Sequence, residues 1–546
     1  MLSMQRYLAA PVVVVALLLS WSCARAQVPE PVGPKVVLSQ MASSPAVEPE
    51  GRPAEPAASM PVRPSPEERR EALRRQIQAT LDDPVMQRAR VSIVVRPLTG
   101  DALFEVEPDA RRVPASNVKL LTSVAALRAL PGRYHFVTEY RRAGGRLYIH
   151  GNGDPVLRGR ELVALGQALR ARGVGSVRGI VVDDSYFDRR RRLAPGFESF
   201  GEGAYYRPTS GALNVSGNAI TVKVSAPRDR RRPRVDVYPP SDYVIVRKLV
   251  RFAPTKGKGR GKTHVSVKIQ PRGSIMWVTV TGQIPHGAPA WRTRRAVYDP
   301  ALATGWAVRR ALAKAGATVS GSVWRGRAPA GAALVLRRER PLASILAAVN
   351  THSDNLAAET LVRAMGSRDP STPAGSWERG LQVLRQVLEP LGLTEFSLGN
   401  GSGLHRHSWV TARLMTDLLR TILSDAGLRR VLLPTLAVAG RSGTLAPRLR
   451  GTAAEGLVRA KTGTLGGALA LSGYVDPEGP APLVFSILVN GRSDHAVRDR
   501  MDHIATLLAR HVRSLPLEGP SSQAASQPAS QPSSQPSSQP VDDEDE

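Results

Sequence analysis

The chain has 546 residues, 42% of them hydrophobic and 22% charged, with 48 glycines and 44 prolines. That balance supplies apolar sequence for two or three domains and excludes a wholly disordered chain, a collagen and a multi-pass membrane protein. Ten lysines and 65 arginines against 46 acidic residues leave a net charge of +29, which suits an anionic partner: nucleic acid or an acidic wall polymer.

The opening segment, MLSMQRYLAAPVVVVALLLSWSCARAQ, joins a basic Arg6 to an apolar run and then to Ala24-Arg25-Ala26, a small-residue cleavage site. The run is shorter than the roughly 20 apolar residues of a transmembrane helix. It predicts a signal peptide over residues 1–26 and an exported, periplasmic or extracytoplasmic protein whose mature chain has no transmembrane span. Cys23 is the single cysteine; lipid attachment there is the alternative, although Ser20-Trp21-Ser22 matches a lipobox poorly. Either way the exported part carries no disulfide. Residues 27–65 are rich in Pro, Ala and Glu and read as a tether, and residues 516–546 form a Ser/Gln/Pro tail ending in acids.

Between them, residues 65–83 have helical spacing, with Leu73, Ile77 and Leu81 four apart. VSIVVRPL (91–98) and ALFEVE (102–107), separated by Thr99-Gly100-Asp101, read as a hairpin. Pro114 opens a predicted helix carrying SNVKLLTSVAALRAL. From about 141 to 334 the texture turns to short β-like runs (ITVKVS, YVIVRKLV, HVSVKI, MWVTVTG), glycines and arginine clusters. Helical sequence follows at 341–365, then strands at 469–475 and 483–491, and a last helix. The pattern predicts an α/β (α+β) domain from 66–140 plus 335–515, interrupted by a strand-rich insertion over 141–334 of one or two small domains.

Three short motifs occur in order: Ser116-Asn117-Val118-Lys119, Ser353-Asp354-Asn355 and Lys461-Thr462-Gly463. Helix positions three apart share a face, so Lys119 can reach the Ser116 hydroxyl. Serine is a weak nucleophile until a base takes its proton, and lysine serves once burial and nearby cations lower its pKa. Arginine cannot serve, because it does not deprotonate. In a chain that uses arginine for most positive charge, two of ten lysines lie in these motifs, and Lys461 is the only lysine after Lys314.

These types predict roles. Ser116 is the nucleophile, Lys119 the general base, and Ser353 a proton relay to the leaving amine. The Asn355 amide holds Lys119 and a substrate amide, and Lys461 is a second cation that tunes Lys119 and binds a carboxylate. Thr462, Gly463 and Thr464 lie on a strand edge where Gly463 lets a peptide pair with the backbone. The N–H groups of Ser116 and Thr464 form the oxyanion hole.

Ser-x-x-Lys or Ser-x-Asn alone is a common accident of helix surfaces, and Lys-Thr-Gly alone a rarer one; the ordered trio is not an accident. Zinc, P-loop and nucleophile-elbow signatures are absent from the sequence, so no metal and no cofactor is expected. His352 reads as a helix-surface residue. KGKGRGK (256–262) reads as a solvated loop, since no aromatic stacking motif accompanies it.

The trio resembles the signature of serine β-lactamases and penicillin-binding proteins. Ser116 and Ser353 are 237 positions apart, and Ser353 and Lys461 are 108 apart. With these gaps, and with GNGDPVL (151–157), LNVSGNAITV (213–222), NGSGLHR (400–406) and 442–475, the chain is similar to peptidase family S13. These are D-alanyl-D-alanine carboxypeptidase/endopeptidases, the low-molecular-mass class C penicillin-binding proteins. The resemblance implies a serine β-lactamase/DD-peptidase-like domain, an antiparallel sheet flanked by helices, with the insertion between the first two motifs. It implies peptidoglycan as partner and substrate, an acyl-enzyme on Ser116, and β-lactams as covalent inhibitors. It also implies an acidic residue of the insertion that reads a stem-peptide amine, which Glu202 matches. The chain departs from the family at Asn400, where Asp is usual, and at His405, where Ser is usual; both are expected to shape the loop without carrying a proton. The alternatives are a β-lactamase-like hydrolase, disfavoured because no E-x-x-L-N motif is present, an inactive peptidoglycan-binding protein, and an exported nucleic-acid binder. Oligomeric state is not legible.

Overall fold

Ser65 starts the first helix, α1 (Pro66–Leu81), with a full capping box: its hydroxyl takes the Glu68 N–H and the Glu68 carboxylate takes its own N–H. The computed structural model describes residues 64–515 apart from 190–191, 198–202, 230, 255–260 and 368–374. The expected signal peptide with Cys23, the tether up to residue 63, the acidic tail and Glu202 lie outside the described residues. Among the described residues, no helix is long and apolar enough to cross a membrane.

The predicted hairpin is present as β1 (Arg90–Pro97) and β2 (Phe104–Val106), paired antiparallel with Ile93 opposite Val106. The Ser116 helix departs from expectation. A single 3₁₀ turn, Ala115–Asn117, precedes the α-helix α2 (Val118–Ala129), so Ser116 lies just ahead of the helix proper. After α2 come β3 (His135–Ala143), β4 (Arg146–Gly151), α3 (Gly159–Ala171) and β5 (Ile180–Asp183). The four β-like runs read from sequence are strands: β6 (Ala219–Ser225), β8 (Val244–Phe252), β9 (His264–Arg272) and β10 (Ile275–Ile284). With them are β7 (Arg234–Tyr238), β11 (Trp291–Ala296), α4 (Pro300–Lys314), β12 (Val323–Arg325) and β13 (Ala333–Pro341).

The segment 341–365 is two helices, α5 (Leu342–Thr351) and α6 (Asn355–Met365), broken at the Ser-Asp-Asn motif. The remainder comprises α7 (Trp377–Leu388), α8 (Ala412–Ser424), β14 (Ala437–Val438), β15 (Val458–Leu465), β16 (Ala468–Val475), β17 (Leu483–Asn490) and α9 (His495–Ser514), besides shorter turns.

The main sheet runs β14-β15-β16-β17-β1-β2, antiparallel throughout. Alternation divides its side chains between two cores. Ile93, Val95, Leu471 and Ile487 face Leu73, Ile77, Met501 and Ile504 of α1 and α9. Val94, Ala470, Val484 and Leu488 face Leu121, Leu418 and Leu419 of α2 and α8. Every residue of β16 and β17 is buried, which is why these strands read as largely apolar with no polar alternation.

A second sheet, β12-β5-β4-β3-β13, mixes parallel and antiparallel pairs and carries α3 and α4. Two three-stranded sheets, β11-β6-β7 and β9-β10-β8, share its apolar core through Val222, Val244, Val278 and Ile284. The two ends of the segment that carries these three sheets lie side by side: β3 pairs with β13 from His135–Pro341 to Arg142–Ala333, and Leu342 N–H donates to Tyr134 C=O at 3.1 Å.

A buried cation joins this part of the chain to α6. Arg363 lies between the Phe187 and Trp377 rings, 4.4 Å from each centroid, and donates to the carbonyls of Asp188 and, at 2.8 Å, Ser210.

Candidate active site

The serine is presented by a strained turn. Ala115 has φ +46°, a left-handed conformation that costs a residue bearing a Cβ about 1–2 kcal/mol. Its carbonyl lies where a Cβ on Gly403 would come within 1.8 Å, and Gly403 itself has φ +82°, so glycine is required there on both counts. The turn is thus clamped by the NGSGLHR loop, and Ser116 is held at the mouth of α2.

Lys119 is fully buried, and its Nζ has three partners: Ser116 Oγ at 2.9 Å, Asn355 Oδ1 at 2.7 Å and the Ser402 carbonyl at 2.7 Å. The last two are pure acceptors. A neutral amine gives its two hydrogens to them and turns its lone pair toward the third partner, the Ser116 hydroxyl. Burial pushes the Lys119 pKa down to about 7, while the carboxylates of Glu359 and Asp354 pull the other way. The base form is therefore abundant near neutral pH.

Ser353 also has a left-handed backbone, φ +56°, in the break between α5 and α6. Asp354 caps α6 by accepting the Ala357 N–H at 3.1 Å, so the central residue of this motif serves the helix. His352 ends α5 and is exposed, as expected of a helix-surface residue. Lys461 Nζ donates to Ser353 Oγ at 2.9 Å and to the Thr462 carbonyl at 2.8 Å. Burial pushes the Lys461 pKa well down, and the nearby Lys119 amine adds to it. The Asn355 amide differs from expectation: Nδ2 donates to the Tyr206 carbonyl at 2.6 Å, so a chain segment occupies the position assigned to a substrate amide.

Lys461, Thr462 and Gly463 lie on β15, paired with Ser472, Leu471 and Ala470 of β16. β14 covers β15 only at Arg459 and Ala460. From Lys461 onward the outer edge of β15 has no strand partner among the described residues, and Thr464 is exposed there. Thr462 Oγ1 donates to Thr444 Oγ1 at 2.8 Å. Gly463 has a second role that the sequence did not suggest: a Cβ there would lie 2.8 Å from the Pro114 carbonyl and 3.2 Å from Ala115 Cβ. Its bare Cα lets the strand seat directly against the Ser116 turn. Ser116, Lys119, Ser353, Asn355 and Lys461 are therefore brought together, with Gly463 against the turn.

Sequence reasoning missed what holds Lys119 and its Ser402 partner in place. Glu359 is fully buried on α6 and accepts the N–H groups of Ser402 at 2.8 Å and Gly401 at 3.2 Å and the Trp377 Nε1–H at 2.8 Å. Thr122 of α2 donates to the Gly401 carbonyl at 2.9 Å. Asn400 fits its expected loop-shaping role: Oδ1 accepts the Gly403 N–H at 2.9 Å and Nδ2 donates to Pro195 C=O at 2.9 Å. The available signal for Glu359 was its place four residues after Asn355, on the same helix face.

The chain matches the D-Ala-D-Ala carboxypeptidase 3 (S13) family over residues 73–511. It belongs to that family. This S13 chain is 34% identical over 474 residues to a D-alanyl-D-alanine carboxypeptidase of Actinomadura sp. strain R39, covering 82% of this chain and 86% of that one. It is 26% identical to the D-alanyl-D-alanine carboxypeptidase DacB of Haemophilus influenzae over 69% of this chain and 80% of the relative. Among solved structures, penicillin binding protein 4 (dacB) from Haemophilus influenzae superposes with a TM-score of 0.67 at 21% identity, covering 80% of this chain and 98% of that one. That likeness establishes the shared α/β fold of the S13 chain.

Proposed function

We propose that the S13 chain is an exported serine DD-peptidase that hydrolyses D-Ala-D-Ala or cross-link peptide bonds of peptidoglycan through a Ser116 acyl-enzyme. Neutral Lys119 takes the Ser116 proton as Oγ bonds to the carbonyl carbon. The oxyanion is held by the N–H groups of Ser116 and Thr464, each worth about 3 kcal/mol. The C–N bond then breaks, and the departing amine collects a proton relayed by Ser353, whose hydroxyl is held by Lys461. Water, deprotonated by Lys119, releases the acyl group and restores the serine. The open edge of β15 (Thr462, Gly463, Thr464) aligns the peptide as an added strand. β-Lactams imitate the D-Ala-D-Ala end and stop at the acyl-enzyme.

The observation that carries this reading is the Lys119 amine, with both carbonyl partners satisfied and its lone pair left for Ser116. The inserted unit begins and ends at the β3–β13 ladder, and residues 1–26 direct export. Glu202, four residues before the Tyr206 carbonyl that meets Asn355, belongs to the segment that reads the stem peptide. The test is labelling with fluorescent penicillin. The wild-type protein labels and releases D-Ala from a pentapeptide, and Ser116→Ala does neither; labelling that persists in Ser116→Ala overturns the assignment.

A further inference from the structure

Residues 244–284 contain nine lysines and arginines and not one Asp or Glu, and five of the ten lysines of the chain fall there. Three strands, β9-β10-β8, organise this block. Val250, Val267, Met276, Val278 and Val280 point into the core, so the alternate positions form the outer face. The registers place that face in rows: Gln270–Trp277–Ile245, Lys268–Thr279–Arg247, Ser266–Thr281–Leu249 and His264–Gln283–Arg251, with Arg272 beside Ile275 at one end. Rows bearing arginine or lysine alternate with neutral rows, so successive cationic rows are about 13 Å apart.

Several cations in the same part of the chain are neutralised by acids. Arg309 and Arg310 pair with Asp242, Arg325 with Asp184 and Asp299, and Arg338 and Arg340 with Glu161. Arg247, Arg251, Lys268 and Arg272 are exposed, and among the described residues none has an acidic partner. Arg247 and Arg272 instead lie over the Trp277 ring, 5.7 and 4.8 Å from its centroid. A four-cation face without counter-charge repels itself and costs stability unless an anion covers it.

We propose that this outer face binds the acidic glycan of the cell wall, the spaced carboxylates meeting the cationic rows and the sugar hydroxyls meeting the Thr279, Thr281, Ser266 and Gln270 positions between them. The inference rests on reading the chain as a wall hydrolase and names the surface that keeps it on its polymer. A single tryptophan capped by guanidinium groups gives no row of stacking platforms for single-stranded nucleic acid. Ile245 and Leu249, the two exposed aliphatics, lie on one edge strand and form no continuous apolar face for a membrane.

The test compares full-length protein with the Arg247→Gln/Arg251→Gln/Lys268→Gln/Arg272→Gln variant by sedimentation with purified sacculi. The variant is expected to lose at least about tenfold in affinity at low salt and to show a flatter dependence on salt. Penicillin labelling and D-Ala release from a soluble pentapeptide stay unchanged, which also shows that the variant folds. Arg247→Gln/Arg272→Gln gives an intermediate loss, and polygalacturonate competes for the wild-type protein. Sacculus binding equal to wild type overturns the proposal, as does tighter binding of the wild type to duplex DNA or phosphatidylglycerol vesicles than to polygalacturonate. Absence of penicillin labelling in the wild type overturns the hydrolase reading instead, and the sacculus measurement still decides this one.

Discussion

Glu359 and Lys119 are joined through a single peptide group: the carboxylate accepts the Ser402 N–H at 2.8 Å, and the Ser402 carbonyl accepts from the lysine at 2.7 Å. Glu359 accepts from three N–H donors, so Glu359→Gln turns an amide donor against donors. We expect acylation by penicillin to slow at least about tenfold. Removing the negative charge also removes a pull that raises the Lys119 pKa, so the acid limb of the rate profile moves to lower pH. Stopped-flow acylation against pH measures both; a slower rate with an unmoved limb limits Glu359 to a structural role.

In the wild-type protein the acylation rate should rise with pH through about 7, where Lys119 loses its proton, and level off above. The sign follows from the role: a base acts when unprotonated, and burial has moved that condition down from the ordinary lysine range. A profile that rises only near pH 10 contradicts the assignment.

Lys119→Arg keeps the charge and reach but cannot release a proton. Acylation should fall by about 10³-fold or more, within the range of losing a positioned base. The measurement is the second-order rate of penicillin labelling.

Gly463→Ala tests the seat of the strand. The new Cβ, 2.8 Å from the Pro114 carbonyl, pushes β15 away from the Ser116 turn. Overpacking of this kind costs about 1–3 kcal/mol. Thermal unfolding should occur at a lower temperature, and acylation should slow because Thr464 and Ser116 no longer share one oxyanion position.

Arg363→Met leaves the carbonyls of Ser210 and Asp188 without their buried donor and removes a cation from between two rings. The expected loss is about 3 kcal/mol, read by denaturant unfolding. Arg363→Lys should restore little of it, since one ammonium does not reproduce the stacked planar fork.

Much of this was legible in the sequence because its signals are local. The spacing of Leu73, Ile77 and Leu81 in α1, the hairpin and the largely apolar β16 and β17 each follow from nearby residues, and the three motifs announce their chemistry by residue type. Other features depend on contacts that periodicity does not encode. β3 and β13 are not among the strands the sequence suggests, because HFVTEYRRA and ALVLRRERP carry several charged residues, whose arginines pair with acids in the fold. The 341–365 segment read as one helix because the left-handed turn at Ser353 leaves no mark in composition. Nothing in the residues around Glu359 marks it out; only the approach of the 400–403 loop buries and pairs it.

The pairing of β1 with β17, Arg90 opposite Asn490, links positions about 400 residues apart. The central sheet therefore remains incomplete until nearly the whole sequence has been synthesised, and late closure of this kind makes for slow folding. Lys461 and the strand that seats beside the nucleophile also arrive in that last stretch. A polypeptide that stops short of β15 holds Ser116 and Lys119 but neither Lys461 nor the strand that seats against their turn, so the site stays incomplete until those residues have been made.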